Sequence, residues 1–267
     1  MIVEKQMPAR YRAVIDEQIA VFKKTRSITV RNSIPPTDDI PLDNPSHWLR
    51  IPDVICVYVD MLGSTRLSAT EHDKSTAGAY QLFTGTAVRL FHEFEAPYID
   101  VRGDGVFALF DQNQPYRALA AAVSFKTFSA LEFVGRIKEL TGQRVGCHIG
   151  IDQRTVLVKR MGFRRHNDRT DRQNEVWAGK PVNMAAKLAS LSKDGELIVS
   201  DRYYKKIPDD HARLSCGCPD GEKNPLWTED DVEDDERFDF DVVHVLKTKW
   251  CEKHGAEFCE TLLGLDE

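Results

Sequence analysis

Apolar positions in the central part of the chain alternate between two periods. The run 54–59 (VICVYV) is continuously apolar and rich in β-branched residues, which predicts a central strand covered on both faces. Residues 98–110 form two strand-like halves around Gly103-Asp104-Gly105, a hairpin signal. Residues 144–151 and 155–159 predict a second pair of strands, and 195–200 a further short one. Between them, about 74–95, an Ala-rich stretch at about 115–140, and 179–191 read as helices. The order β-α-β-β-α-β-β-α-β predicts an α+β fold, a mixed β-sheet with helices packed on one face.

The flanks differ in character. Residues 9–25 place Tyr11, Val14, Ile15, Ile19 and Phe22 near one helical face, so this helix needs a surface, on its own domain or on a second subunit. Pro35, Pro36, Pro41, Pro45 and Pro52 make 33–52 an extended linker or wrap. The expected division is an N-terminal helix and linker over 1–52, a catalytic domain over 53–206 and a C-terminal extension over 207–267.

Composition narrows the class. At 267 residues, 42% hydrophobic and 29% charged, the chain reads as globular rather than disordered. No run approaches the about 20 apolar residues of a membrane helix, and the first dozen residues lack the apolar core of a signal peptide. The expectation is a cytoplasmic protein with no membrane partner. The net charge of −6 is unevenly spread: 1–206 carries 30 Lys and Arg against 24 Asp and Glu, whereas 207–267 carries 6 against 18. A basic body suits an anionic ligand. Six Lys and Arg lie between 159 and 172, but Phe163 is the only aromatic there, so no nucleic-acid partner is expected. The acidic run 229–241 reads as a solvated loop.

Candidate chemistry starts with two aspartates. Asp60 ends the first strand and Asp104 sits in the glycine-flanked turn, 44 residues on. If the two strands pair, these carboxylates converge, and hard oxygen ligands suit Mg²⁺ or Mn²⁺. Alternatively, Asp60 caps the next helix and Asp104 is an ordinary turn residue. Gly63, Ser64 and Thr65 follow at a helix start, where free N–H groups would cradle phosphate oxygens. Asn183 and Lys187, four apart on one helical face, would orient a ribose and stabilise phosphoryl charge, or else belong to an exposed polar face.

Cysteines suggest a second centre. Cys56 and Cys147 lie in apolar runs, but four others fall in the tail. Cys216-Gly-Cys218 is followed, 33 residues on, by Cys251-Glu-Lys-His254, a set of soft ligands for a structural Zn²⁺. The alternative is reduced cysteines in a loosely ordered extension.

Together, the segments 57–65 (VYVDMLGST), 100–104 (DVRGD), 144–150 (RVGCHIG) and 177–188 (WAGKPVNMAAKL) resemble the class III nucleotidyl cyclases, in order and at suitable spacing. The resemblance implies two divalent cations on Asp60 and Asp104 and triphosphate contacts from Arg144. It also implies a ribose positioned by Asn183 and a transition state stabilised by Lys187. The site in this family lies between two catalytic domains, so a homodimer with shared active sites is implied, acting on a nucleoside triphosphate. Purine cyclases carry base-reading residues that are missing here. Asp100 stands where adenylate cyclases have Lys, and the second reader falls on Glu175 or Val176. Lys187 replaces the usual Arg, keeping the charge but losing the fork. Arg102 lies beside the site and offers donors to a base carbonyl.

A lone cyclase domain without purine readers, with a short N-terminal helix and a small extension, resembles the Pycsar antiphage pyrimidine cyclases. That resemblance implies production of cUMP or cCMP for a separate effector in antiviral defence. UTP is favoured because Arg102 suits the two carbonyls of uracil. The alternatives are a cytidylate or adenylate cyclase of the same fold, and a catalytically degenerate nucleotide-binding or interaction module.

Overall fold

The computed structural model describes residues 6–163 and 172–267. Helix α1 (Ala9–Lys23) and strand β1 (Ser27–Val30) lead into strand β2 (His47–Leu62), helices α2 (Ser64–Thr70) and α3 (Asp73–Glu93), and the hairpin β3 (Tyr98–Arg102) and β4 (Gly105–Phe110). Helix α4 (Pro115–Phe128) passes through a π turn at Ser129–Phe133 into α5 (Val134–Thr141). Then come β5 (Gly146–Gly162), β6 (Gln173–Gly179), α6 (Lys180–Leu191), β7 (Leu197–Ser200), and the short helices α7 (Asp201–Tyr204) and α8 (Asp210–Arg213). Strands β8 (Trp227–Asp231) and β9 (Val242–Leu246) and helix α9 (Gly255–Gly264) follow. The strands form one mixed sheet in the order β3-β4-β2-β5-β7-β9-β8, with β1 beside β2 and β6 beside β5.

The expected mixed sheet with packed helices is present, with four differences in detail. First, the strands expected at 144–151 and 155–159 are one strand, β5. Its apparent break, Asp152-Gln153, is paired with Cys56 and Ile55 of β2. Asp152 is fully buried, and Arg202 meets its carboxylate with two nitrogens, at 2.7 and 2.5 Å. Second, β2 starts at His47, inside the proline-rich segment. A bulge between Ile51 and Val54 absorbs Pro52, and Asp53 takes φ +48° there.

Third, helices cover both faces. Alternation in β2 sends Ile55, Val57, Val59 and Met61 toward α3, α4 and the π turn, where Phe83, Phe91, Phe125 and Phe133 are fully buried. Phe83 and Phe125 meet edge-on, 5.0 Å between centroids. The opposite face carries Cys56 and Tyr58, and α6 packs there together with the wrap at 34–40. That wrap is tied to β5 by Arg160, whose Nε donates to the Ile40 carbonyl, and by Lys159, whose Nζ donates to the Asn44 carbonyl. Fourth, the extension continues the sheet, because β9 pairs with β7.

The segment Pro115–Thr141 is, by length and composition, the one helix among the described residues apolar enough to cross a membrane. Here its apolar face, including Ala118, Leu119 and Ala122, packs into the core. The basic run at 159–172 lies largely outside the described residues.

Gly150 sets how closely α6 approaches the sheet. A Cβ there would stand 2.1 Å from the Ala185 carbonyl oxygen and 2.5 Å from the Ala189 nitrogen, both main-chain atoms of α6. Gly150→Ala is therefore expected to push α6 off β5 and lower stability by about 1–3 kcal/mol. Because α6 carries Asn183 and Lys187, activity should fall as well. Urea unfolding of the purified variant checks the first effect, and an unchanged midpoint would refute it.

Candidate active site

Asp60 lies at the end of β2, opposite His148 of β5. The β3–β4 turn brings Asp104 up to it, with Gly103 at φ +68° making the tight reversal. Gly105 lets the turn close: a Cβ there would be 3.1 Å from Asp60 Oδ1 and 2.4 Å from the Tyr58 hydroxyl. Burial and the charge of Asp104 raise the pKa of Asp60, offset in part by His148 and the Met61 N–H. The same carboxylates, after burial, push Tyr58 up to about 12. His148 Nδ1 donates to the Ser192 carbonyl at 2.6 Å, which sets the ring orientation. No lysine or arginine among the described residues offsets the charge on Asp60. A half-buried pair of mutually repelling oxygen ligands fits a hard divalent cation.

Next to Asp60, a cleft of about 290 Å³ is floored by Tyr58, Phe107 and Trp177 and rimmed by Arg102, Glu175 and Asn183. Strand alternation explains the lining. Tyr58 shares a face with Asp60, two residues on, and Phe107 and Asp100 are its successive cross-strand neighbours. In β6, Glu175 and Trp177 face the cleft, whereas Val176 points away and is 38% exposed. Of the two positions expected for the second base reader, the cleft therefore takes Glu175 and not Val176. The Tyr98 hydroxyl donates to Glu175 at 3.3 Å, and the Tyr98 ring sits 4.7 Å from that of Trp177. Arg102 pairs with Asp100 at 2.6 Å, yet the buried Asp100 Oδ2 has no aligned hydrogen-bond donor. Tyr58 and Trp177, which line the cleft, carry no chemical signature of their own in the sequence. Their signal was the two-residue spacing from Asp60 and Glu175.

On the other side of Asp60, Gly63 at φ +89° starts α2, and a Cβ on it would lie 3.0 Å from the Arg144 carbonyl oxygen. Exposed Arg144 is thereby held beside the turn of Gly63, Ser64 and Thr65. Lys187 lies one turn beyond Asn183 on α6, and its Nζ donates to the Arg237 carbonyl at 2.7 Å. That carbonyl belongs to the acidic loop, which Asp239 anchors through Arg154 at 2.9 Å, Lys180 at 2.7 Å and Arg202 at 3.0 Å. The acidic run is thus solvent-exposed along most of its length, as expected, but begins in β8 and is pinned at Asp239.

No family model matches the sequence. Among solved structures, the guanylyl cyclase Cya2 aligns with a TM-score of 0.59 over 74% of this chain and 92% of its own, at 19% identity. That likeness makes the fold a nucleotidyl cyclase catalytic fold. A uridylate cyclase of Propioniciclava tarda is 39% identical over 232 residues, covering 85% of this chain and 74% of that protein. A uridylate cyclase of Micromonospora echinofusca is 35% identical over 222 residues, covering 81% and 71% respectively. The chain belongs to the uridylate cyclase family and is a nucleotidyl cyclase.

The anchor of the acidic loop has a pH signature. Burial raises the pKa of Asp239, but hydrogen bonds from Lys180 and Arg202 outweigh it, so the net shift is downward. A lowered carboxylate stabilises the fold above its unfolded pKa and loses that contribution as pH falls through the folded value. Asp239→Asn is expected to cost about 1–2 kcal/mol at neutral pH, a figure held down by the exposure of Arg154 and Lys180. The gap to wild type should close in acid, below the ordinary carboxylate range. Urea unfolding across that range decides it, and a gap independent of pH would rule out the charge anchor.

Proposed function

We propose that the chain converts UTP into 3′,5′-cyclic UMP and pyrophosphate, at sites shared between two copies. The observation that carries this reading is that one chain holds both halves of such a site, the Asp60–Asp104 pair and a small cleft floored by aromatic rings. Its volume, about 290 Å³, lies at the bottom of the range for ligand pockets and suits one base ring better than two. Asp100 offers an acceptor for the N3–H of uracil, and Arg102 a donor for an adjacent carbonyl. Tyr58, Phe107 and Trp177 offer the flat faces on which a base packs.

Asp60 and Asp104 would hold divalent cations, Mn²⁺ or Mg²⁺. Such ions supply charge neutralisation on the triphosphate and acidify the 3′-hydroxyl. The hydroxyl oxygen attacks the α-phosphorus, its proton is lost, and the bond to the β-phosphate oxygen breaks. Arg144 and the N–H groups at Gly63, Ser64 and Thr65 bind the triphosphate. Asn183 orients the ribose, and Lys187 balances charge developing on the phosphoryl group. In a shared site, the carboxylates come from one copy, and the cleft with its Asn183, together with Lys187, comes from the other. The apolar stripe of α1 supports pairing: Tyr11, Val14, Ile19 and Phe22 are 45–77% exposed, and no residue of α1 is buried among the described residues. The resemblance to Pycsar cyclases supports a further step, in which the cyclic pyrimidine nucleotide activates a separate effector in antiphage defence.

Base choice is tested by kcat/KM for all four nucleoside triphosphates with Mn²⁺. UTP should lead, CTP should follow, and ATP and GTP should trail by up to about four orders of magnitude. Arg102→Ala should narrow the UTP-to-CTP ratio without weakening triphosphate binding. A purine leading in wild type would overturn the pyrimidine assignment.

Sharing of the site is tested by complementation. Asp60→Ala and Lys187→Ala should each lose at least about a hundredfold in turnover. Equal mixing gives about half heterodimers with one intact site each, so about a quarter of wild-type activity should return. No recovery, with subunit exchange confirmed by mass spectrometry, means that each chain works alone.

A further inference from the structure

Outside the residues that line the cleft, two loops of the extension meet before α9. The first carries Cys216 and Cys218, and the second, leading into α9, carries Cys251 and His254. The four ligand atoms of these residues all lie within 4.8 Å of one another, and Cys218 Sγ is 3.2 Å from His254 Nδ1. A tetrahedral centre with Zn–S bonds of about 2.3 Å separates its sulfurs by about 3.8 Å, so one ion fits between them. We propose that Cys216, Cys218, Cys251 and His254 bind one structural Zn²⁺, which staples the C-terminal extension onto helix α4.

The loops are built for that approach. Gly217, between the first two cysteines, has φ +86°, and a Cβ on it would stand 2.9 Å from the Gly221 carbonyl oxygen. A side chain there would open the turn and part the two sulfurs. Gly255, directly after His254, leaves room for Trp250, whose Cβ would be 2.7 Å from an added Cβ. Three thiolates and an imidazole prefer zinc to Mg²⁺ or Mn²⁺, so this centre would not compete for the cations of the Asp60 site. Cys259 lies outside the cluster, half-buried in α9.

What the centre would hold in place is visible around it. Trp250 donates from its main chain to Thr127 Oγ1 at 3.1 Å and from its indole to Ser124 Oγ at 2.8 Å, both on α4. Buried Lys126 of α4 donates to the Thr248 carbonyl. Beyond α9, Asp266 accepts the Tyr116 and Arg117 N–H groups at the start of α4, at 3.1 and 2.7 Å. These ties all reach one helix, yet the segments between them, 215–226 and 247–254, contain no helix or strand of their own. A four-ligand centre cross-links such segments where an apolar core is too small to do so.

The test uses the full chain, expressed with added zinc and purified without chelators. Elemental analysis should find about one zinc per chain, retained in Asp60→Ala and lost in the double variant Cys216→Ser and Cys251→Ser. Should that variant fail to fold, the wild type still answers: titration with an organic mercurial should release zinc in step with thiol modification. The Co²⁺-substituted chain should also show the ligand-field bands of a tetrahedral thiolate site. After metal release, hydrogen exchange should rise in 247–267 and stay unchanged in β2 and β5. Zinc well below one per chain overturns the proposal. So does zinc retained by a folded double variant, or a mass loss of two hydrogens marking a disulfide among these cysteines.

Discussion

Like charges in a half-buried place repel, and the pKa of Asp60 rises partly because Asp104 stands beside it. The fold holds the two together in spite of that repulsion. The long pairing of β2 with β5 fixes Asp60, and the β3–β4 turn delivers Asp104. Gly105 removes the side chain that would keep the turn away. Strain of this kind is found where a structure is shaped for something it binds, and here the complement is positive charge.

The same sheet face that ends in Asp60 also supplies the cleft. One strand step separates Tyr58 from Asp60, and one pairing step separates Tyr58 from Phe107, so the carboxylate pair and the cleft share one rigid surface. Helix α6 adds Asn183 to it, lying so close to the sheet at Gly150 that a Cβ there would meet its main chain. Asn183 and Lys187 thus stand on an element whose height above the sheet is set by a missing methyl group.

Much of this was legible in the sequence. The apolar run at 54–59 is a central strand, Gly103-Asp104-Gly105 is a hairpin turn, and Asp60 meets Asp104. Cys216, Cys218, Cys251 and His254 also meet. The rest failed for physical reasons. Asp152 and Gln153 looked like a strand break because polar residues rarely sit in a core. The partner of Asp152, Arg202, is fifty residues away, and that of Gln153, the Asp53 carbonyl, a hundred, so neither leaves a local signal. Strand β6 was hidden because its alternation is mostly polar, with Glu175 and Trp177 on one side and Asn174 and Val176 on the other. The acidic run is solvated as expected, but its anchor at Asp239 was hidden because the cations Arg154, Lys180 and Arg202 lie on three other elements.

Lys187 meets the acidic loop at a main-chain carbonyl, that of Arg237. Every residue type offers the same oxygen there, so the contact is blind to the side chain at position 237. Mutation could rewrite most of this loop without touching the lysine, provided the backbone kept its path. The selective burden falls instead on Asp239, which holds that path through three cations. Among relatives, the loop should therefore drift widely in sequence around a single acidic position.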